Sequence, residues 1–495
     1  MAEQYDAVVA GTGMGGLTAA SLLAARGVRT LILERQPSVG GYMAGFRRGS
    51  YRFDAAANFL GAIEEGGEVG SVLREIGVAD QVEFAPVDRS FRAILPDREM
   101  NTRTEPYIEA LATAFPDHRD AIARFARVVH SIGADIERFE RLNGWRRLLV
   151  PFCCPRLLRY GRATMGALVG RYLSHPGVCA LAANFPATAA PSEVSLLFGA
   201  TVLTKGQRGG LFYPVGGTAN LARLLAEAAV RHGAELRLCT ALTAIEHDGR
   251  RVRAVRTDSG ERIETRAVVA GFNPDDALGL LEGPETARLA KARRRTAAFR
   301  YSASAFIVYL GLKPDVDWSK EFFFTTIYET LDLDGLHGAV GRGEMPEQSI
   351  VHVSFPCAAG RSQSSDGAPT AKIITIAPYG LFKRWHEAEG EESYRRRKAE
   401  LADRLIERAS RHVPSLRGAV VLREAATPLT LERWTANRAG AMYGLEPTVD
   451  QFGPTRWPNV AALKGLYFCG HYSRPAHGIV GTCYSGRFVA DRLTR

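Results

Sequence analysis

The sequence predicts an α/β fold in which a parallel-sheet domain is interrupted by an inserted α+β domain. Three observations carry this. Residues 7–10 form an apolar run of strand length that ends in Gly11-Thr12-Gly13-Met14-Gly15-Gly16, a small-residue helix follows over 17–24, and a second apolar run, 30–33, ends in Glu34. Strand, glycine turn and helix return in that order between Gly465 and Arg487. Between these two blocks the alternation gives way, first to a long helical pattern and later to strands mixed with helices.

Each part of the first block has a physical job. Gly11 lets the chain turn sharply from strand to helix, Gly13 leaves no side chain where a pyrophosphate approaches the backbone, and Gly16 lets helix and strand pack closely. Free N–H groups and the positive end of the helix dipole then hold the phosphates. Glu34 lies about 20 residues on, where a carboxylate accepts hydrogen bonds from ribose hydroxyls and repels a 2′-phosphate. The reading is a Rossmann-like dinucleotide site in which NADP fits poorly.

Taken in order, residues 35–42 form a glycine-rich loop with Arg35, Gly40, Gly41 and Tyr42, and a short polar hairpin over 45–54 ends in Asp54. Simple NAD dehydrogenases have no need of this extension, whereas in flavoproteins sharing the first fold it wraps the FAD pyrophosphate and flavin. FAD is therefore the expected cofactor. A helix over 64–80 closes at Gly77, and apolar spacing marks a helical block from 106 to 139. Residues 145–172 alternate Arg146, Arg147, Arg156, Arg159, Arg162 and Arg171 with leucines, Phe152 and Trp145, and contain no acid. That composition suits either a membrane-surface element or a helix pair with an arginine-rich solvated face.

The nucleotide-type fold resumes at 209–217, with a helix over 219–232, a strand at 235–238, Leu242 and Ile245 beyond it, and an alternating hairpin over 251–264. Strands over 304–312, 350–355 and 372–377 with a helix over 391–409 are expected to wall a deep substrate tunnel. The expected boundaries are 1–85, 205–285 and 455–495 for the FAD-binding domain, and 86–204 and 286–454 for the substrate domain.

Composition narrows the class. The chain of 495 residues is 46% hydrophobic and 23% charged, an ordinary soluble globular profile. Its charge of +10 comes from arginines spread along the chain without zinc-finger spacing or an aromatic RNA-binding motif, so no nucleic-acid partner is expected. Seven cysteines without a Cys-x-x-Cys predict neither a disulfide framework nor a metal site. Without a signal-peptide pattern or an 18-residue apolar run, the expected location is cytoplasmic, with peripheral membrane contact only if 145–172 is the membrane-surface element. The oligomeric state stays open.

Four stretches together resemble the phytoene desaturase, carotenoid isomerase and retinol saturase group of GR2-type flavoproteins: residues 8–41, Gly210-Leu211-Phe212-Tyr213-Pro214-Val215-Gly216-Gly217, Thr427-Pro428-Leu429-Thr430 with Tyr443-Gly444-Leu445, and the tail from Gly470 to Gly486. The Thr-Pro-x-Thr piece resembles the isomerase and saturase branch. His471 stands where the group usually has an acid, Pro475-Ala476 where it has Pro-Gly, and Tyr42 where it often has arginine. The resemblance implies hydride exchange between a lipophilic conjugated polyene and flavin, in a carotenoid-type desaturation or isomerisation. The expected cofactor-binding residues are Gly11, Gly13, Met14, Gly15, Gly16, Glu34, Arg35, Gly40, Gly41, Tyr42, Asp54, Leu242, Gly470, His471, Gly478, Ile479, Val480 and Gly481. His471, His477 and Tyr443 are the candidates for moving a proton. Two alternatives remain: an NAD(P)H-driven reductase or reductive cyclase of a polyene in secondary metabolism, and a non-enzymatic prenyl-lipid carrier of the same fold.

Overall fold

The computed structural model describes residues 4–103, 105–142, 149–184, 189–205, 210–359 and 368–495. Trp145, Arg146, Arg147, Leu148 and Gly209, used in the sequence reading, lie outside the described residues. Five parallel strands form the nucleotide-type sheet, in the order Glu235–Arg237, Thr30–Leu33, Ala7–Ala10, Val268–Ala270, Leu466–Phe468. The three central strands are buried along their whole length, which is why they read as unbroken apolar runs. The helix Met14–Ala25 is buried almost throughout and packs between the helices Thr218–Arg231 and Gly478–Leu493. Small residues permit that approach: a Cβ on Gly486 would lie 2.3 Å from the Gly15 carbonyl oxygen. A second sheet, built on the hairpin Val252–Thr257 and Arg262–Thr265, lies beside this core.

The inserted part is a seven-stranded sheet and a helical block. The sheet runs Val420–Ala426, Ser304–Leu312, Thr370–Ala377, Ile350–Ser354, Phe324–Tyr328, Phe91–Ile94, Glu99–Thr102. Residues 91–102 thus join strands more than two hundred positions later, through a parallel pairing of Phe91–Ile94 with Phe324–Tyr328. The helix expected over 391–409 extends over Tyr379–His412, and Gly390, at φ 79°, divides it into two limbs. The helical block comprises Tyr107–Ala114, Arg119–Arg141, Val150–Cys153, Pro155–Tyr160, Met165–Tyr172, Pro176–Ala183 and Leu196–Lys205. Among the described residues no helix is long and apolar enough to cross a membrane.

The hairpin Gly45–Arg48 and Tyr51–Asp54 is less polar than its sequence suggests. Phe46 and Phe53 pack on Tyr309 of the seven-stranded sheet, with ring centroids 4.8 and 5.7 Å away. The hairpin therefore joins the seven-stranded sheet to the helix Thr218–Arg231, which its last residue, Asp54, contacts through Thr218.

Candidate functional site

Two helix N-termini meet at one cavity of about 2620 Å³. The first helix, Met14–Ala25, has Gly13 as its N-cap, no capping side chain and no acid in its first turn. Its leading N–H groups therefore have no acceptor among the described residues, and the positive end of its dipole is uncompensated. The glycines here divide into two kinds. A Cβ on Gly13 would meet nothing within 4 Å, whereas one on Gly15 would lie 2.6 Å from the Gly470 nitrogen and one on Gly16 2.0 Å from the Gly11 oxygen. Gly13 keeps space open in the cavity; Gly15 and Gly16 allow the backbone to pack. The second helix, Gly478–Leu493, also begins without a side-chain cap or an acid, so Gly478, Ile479, Val480 and Gly481 present a second uncapped turn to the cavity.

Glu34 ends its strand at the cavity wall, only 8% exposed. Its carboxylate accepts from the Thr12 nitrogen at 2.9 Å, the Thr12 hydroxyl and the Gln36 nitrogen at 2.9 Å. Three donors leave acceptor capacity on a carboxylate with about four lone-pair sites. Arg35 donates to the Arg433 carbonyl, and Gln36 to that of Trp434 at 2.9 Å, which anchors this loop to the helix Pro428–Thr435. Thr427 and Thr430 form a capping box on that helix, so the Thr-Pro-x-Thr stretch orders it by backbone capping. Tyr42 donates to the Ala441 carbonyl at 2.9 Å, and burial pushes its hydroxyl up to about 12. Met14, Gly40, Gly41, Leu242 and Gly470 also line the cavity.

Asp54 departs from the expectation and does not line the cavity. It is buried, and it accepts from the Tyr213 hydroxyl at 2.8 Å, the Thr218 nitrogen at 2.8 Å and the Thr218 hydroxyl at 3.0 Å. Gly217, the N-cap of Thr218–Arg231, has no side chain to offer; a Cβ there would lie 2.6 Å from an Asp54 oxygen. Asp54 is thus a substitute N-cap reaching in from the hairpin.

His471, His477 and Tyr443 all line the cavity. His471 Nε2 lies 3.2 Å from Asn437 Oδ1, which requires the proton on Nε2. Burial, reinforced by the Arg456 guanidinium, pulls the His471 imidazole down to about 3. Burial, with Arg456 and His471 nearby, also lowers His477 far below the ordinary histidine value. The His477 ring packs 4.7 Å from Tyr443, whose hydroxyl burial pushes up. At neutral pH both imidazoles are neutral and Tyr443 is protonated. The site therefore offers fixed dipoles and hydrogen-bond donors, and its histidines are weak bases.

Sequence reasoning missed the residues that hold this loop in place. Arg456, fully buried, donates through Nε to the Ser473 carbonyl at 2.9 Å and through its other nitrogens to the carbonyls of Gln451 and His471. Asn459 donates to the Phe468 and Arg474 carbonyls at 3.2 and 3.0 Å, and Asn437 accepts from the Tyr472 hydroxyl at 2.9 Å. Lys372, also buried, donates to the Ala57 carbonyl at 3.1 Å beneath the cavity segment 55–59, and burial pulls its ammonium down to about 8. Each is an isolated polar residue whose partners are backbone carbonyls or, for Asn437, the side chains of His471 and Tyr472, so the sequence carries no local signal for it.

Beyond these groups the cavity continues between the helical block and the strands Phe91–Ile94, Glu99–Thr102 and Phe324–Tyr328. Ala93, Met100, Ile136, Leu157, Leu181, Leu197 and Phe198 line this chamber. None of the described residues that these helices and strands contribute to its lining is a carboxylate.

A family model for flavin containing amine oxidoreductases matches residues 14–494. Prolycopene isomerase 1 of an Oncidium hybrid cultivar is 26% identical, over 99% of this chain and 84% of its own. The phytoene dehydrogenase of Streptomyces griseus is 26% identical, over 98% of this chain and 94% of its own. Among solved structures, cyclohexylamine oxidase from Brevibacterium oxydans superposes with a TM-score of 0.64 at 17% identity, over 99% of this chain and all of the other.

Proposed function

The chain belongs to the flavin-containing amine oxidoreductase family, and from that premise we propose that it is an FAD-dependent enzyme exchanging hydride with a lipophilic conjugated polyene. The observation that carries this reading is the joining, in one cavity, of an uncapped glycine turn to an apolar chamber whose described lining lacks a carboxylate. A cationic amine would enter such a chamber without a counter-charge, at a high desolvation cost. A long hydrocarbon loses nothing there and gains about 25 cal/mol per Å² of buried apolar surface. The names of the prolycopene isomerase and phytoene dehydrogenase relatives support the same substrate class.

When bound, FAD supplies the two-electron chemistry. In this proposal the leading N–H groups of Met14–Ala25 hold the pyrophosphate and Glu34 accepts from the adenosine ribose, which distinguishes FAD from a mononucleotide. The uncapped turn at Gly478–Gly481 would offer the positive end of its dipole to an anionic part of the bound cofactor. Neutral His471 and His477 and protonated Tyr443 orient the polyene and exclude water. Electrons come from or go to an external partner such as NAD(P)H, oxygen or a quinone.

A membrane surface is the proposed source of substrate. Between Glu140 and Glu193 the chain has no acidic residue. In the described part of this segment Phe152 is 83% and Leu158 62% exposed, flanked by exposed Arg156, Arg159 and Arg162. Leu158 and Arg162 also line the cavity. A basic, apolar rim at a cavity mouth matches an anionic lipid headgroup layer.

The test is an absorption spectrum of the purified protein, followed by anaerobic incubation with an acyclic C40 polyene and chromatography of the product, with and without NADPH. Changed double-bond number or geometry is expected, and bleaching by NADPH assigns the reductive direction. A protein without flavin that retains a prenyl lipid would overturn the reading in favour of a carrier.

A further inference from the structure

The chamber ends in a polar cluster that the hydride chemistry does not use. Phe324, Thr326 and Tyr328 are alternate residues of one strand and all line the cavity. Phe324 packs edge-on against Phe59, with ring centroids 6.4 Å apart, and Thr326 is paired with His352 at 3.0 Å. Tyr328 lies four residues beyond Phe324, about 13 Å along the strand at 3.3 Å per residue. There its hydroxyl accepts a hydrogen bond from Asn184 Nδ2 at 2.8 Å, and Tyr328 belongs to the same buried cluster as Ala93, Met100 and Leu181.

This pair leaves two groups without partners. Tyr328 is 5% exposed, and its hydroxyl proton has no acceptor among the described residues; Asn184 Oδ1 likewise has no donor there. Both residues face the cavity. Tyr328 is buried and Asn184 half-buried, so the free donor and acceptor are open to whatever fills the cavity. A donor and an acceptor side by side complement a hydroxyl group, which can use both; a carbonyl can use the donor alone.

We infer that Tyr328 and Asn184 form a specificity subsite for an oxygen function at the inserted end of the substrate, so that the preferred polyene is an alcohol or a carbonyl compound and not a pure hydrocarbon. The inference rests on the polyene reading above.

The test uses the oxidised holoenzyme and two matched ligand pairs: all-trans-retinol against the hydrocarbon with methyl in place of its hydroxymethyl, and 3-hydroxy-β-carotene against β-carotene. Binding is read by rapid tryptophan quenching before turnover. In at least one pair the wild type should bind the alcohol about 10–100-fold more tightly, as two net hydrogen bonds imply. Tyr328→Phe and Asn184→Leu should each bring that ratio down to about 3 or less while hydrocarbon affinity holds or rises. A wild-type ratio near one, or a ratio that survives both substitutions, would overturn the subsite and leave the polyene reading standing. Binding of none of the four would overturn the polyene reading itself.

Discussion

Asp54 offers a direct contest between a cofactor ligand and a structural cap. Replacing it with alanine removes at least three hydrogen bonds to a buried carboxylate, from Tyr213, the Thr218 nitrogen and the Thr218 hydroxyl. At roughly 1.5 kcal/mol for each bond to a charged acceptor the loss is about 4–5 kcal/mol. Relief of the buried charge offsets part of it, which leaves a net cost of about 3–4 kcal/mol. With an unfolding entropy of about 2.1 cal/mol/K per residue over 495 residues, this lowers Tm by about 3–4 °C. Asp54→Asn keeps an acceptor for the Thr218 N–H and should lose about half as much. In both variants the flavin-to-protein ratio of the folded fraction, read from absorbance after gel filtration, should match the wild type. Unchanged Tm with lost flavin would refute the capping account and make Asp54 a cofactor ligand.

The glycine turn predicts a split outcome. Gly13→Val should weaken flavin binding about tenfold or more with little change in apoprotein Tm, since its side chain enters open cavity, whereas Gly15→Ala should lower apoprotein Tm by several degrees because its Cβ meets the Gly470 backbone at 2.6 Å. Differential scanning fluorimetry with and without FAD separates the two. Acid stability follows from the histidines: burial pulls His352 to about 4 and His471 to about 3. The unfolded chain takes up those protons near pH 6.5 and the folded chain does not, so stability falls as pH drops from about 6.5 toward 4, by about 2–3 kcal/mol for each histidine at pH 4.5. His352→Phe should flatten that slope in urea titrations, and an unchanged slope would exclude it as a source. Phe152→Ser with Leu158→Ser should abolish flotation with anionic liposomes while leaving flavin content intact; retained flotation would remove this rim as the membrane contact.

The glycine block and Glu34 were legible because their meaning is local: strand, turn, helix and acid stand within one short segment, and their spacing is set by backbone geometry. Asp54 reads differently in the sequence and in the structure. An acid at the end of a strand after a glycine-rich loop resembles a ligand, and its real partner, the bare N-terminus of Thr218–Arg231, lies 164 positions away. The parallel pairing of Phe91–Ile94 with Phe324–Tyr328 was invisible because nothing in either run specifies the other. Arg456, Asn437 and Lys372 escaped notice because they bind backbone carbonyls or neighbouring loops, and any arginine, asparagine or lysine in a loop has the same local appearance. The chamber was anticipated as a tunnel behind the strands of 304–377, yet much of its wall comes from the earlier helical block.

The packing of Gly15 against Gly470, and of Gly486 against Gly15, has a consequence for how the protein is made. The glycine turn leaves the ribosome about 450 residues ahead of the strand and helix that complete its surroundings. At 5–20 residues per second the nascent chain spends about 25–90 s with this turn unfinished. Flavin capture therefore waits for the helix Gly478–Leu493 to be made, and until then the apolar face of Met14–Ala25 lacks its partner. A frameshift or stop codon ahead of Leu466 would produce a chain with nearly all of its secondary structure and an open nucleotide sheet, exposed to chaperones and proteases and unable to retain its cofactor.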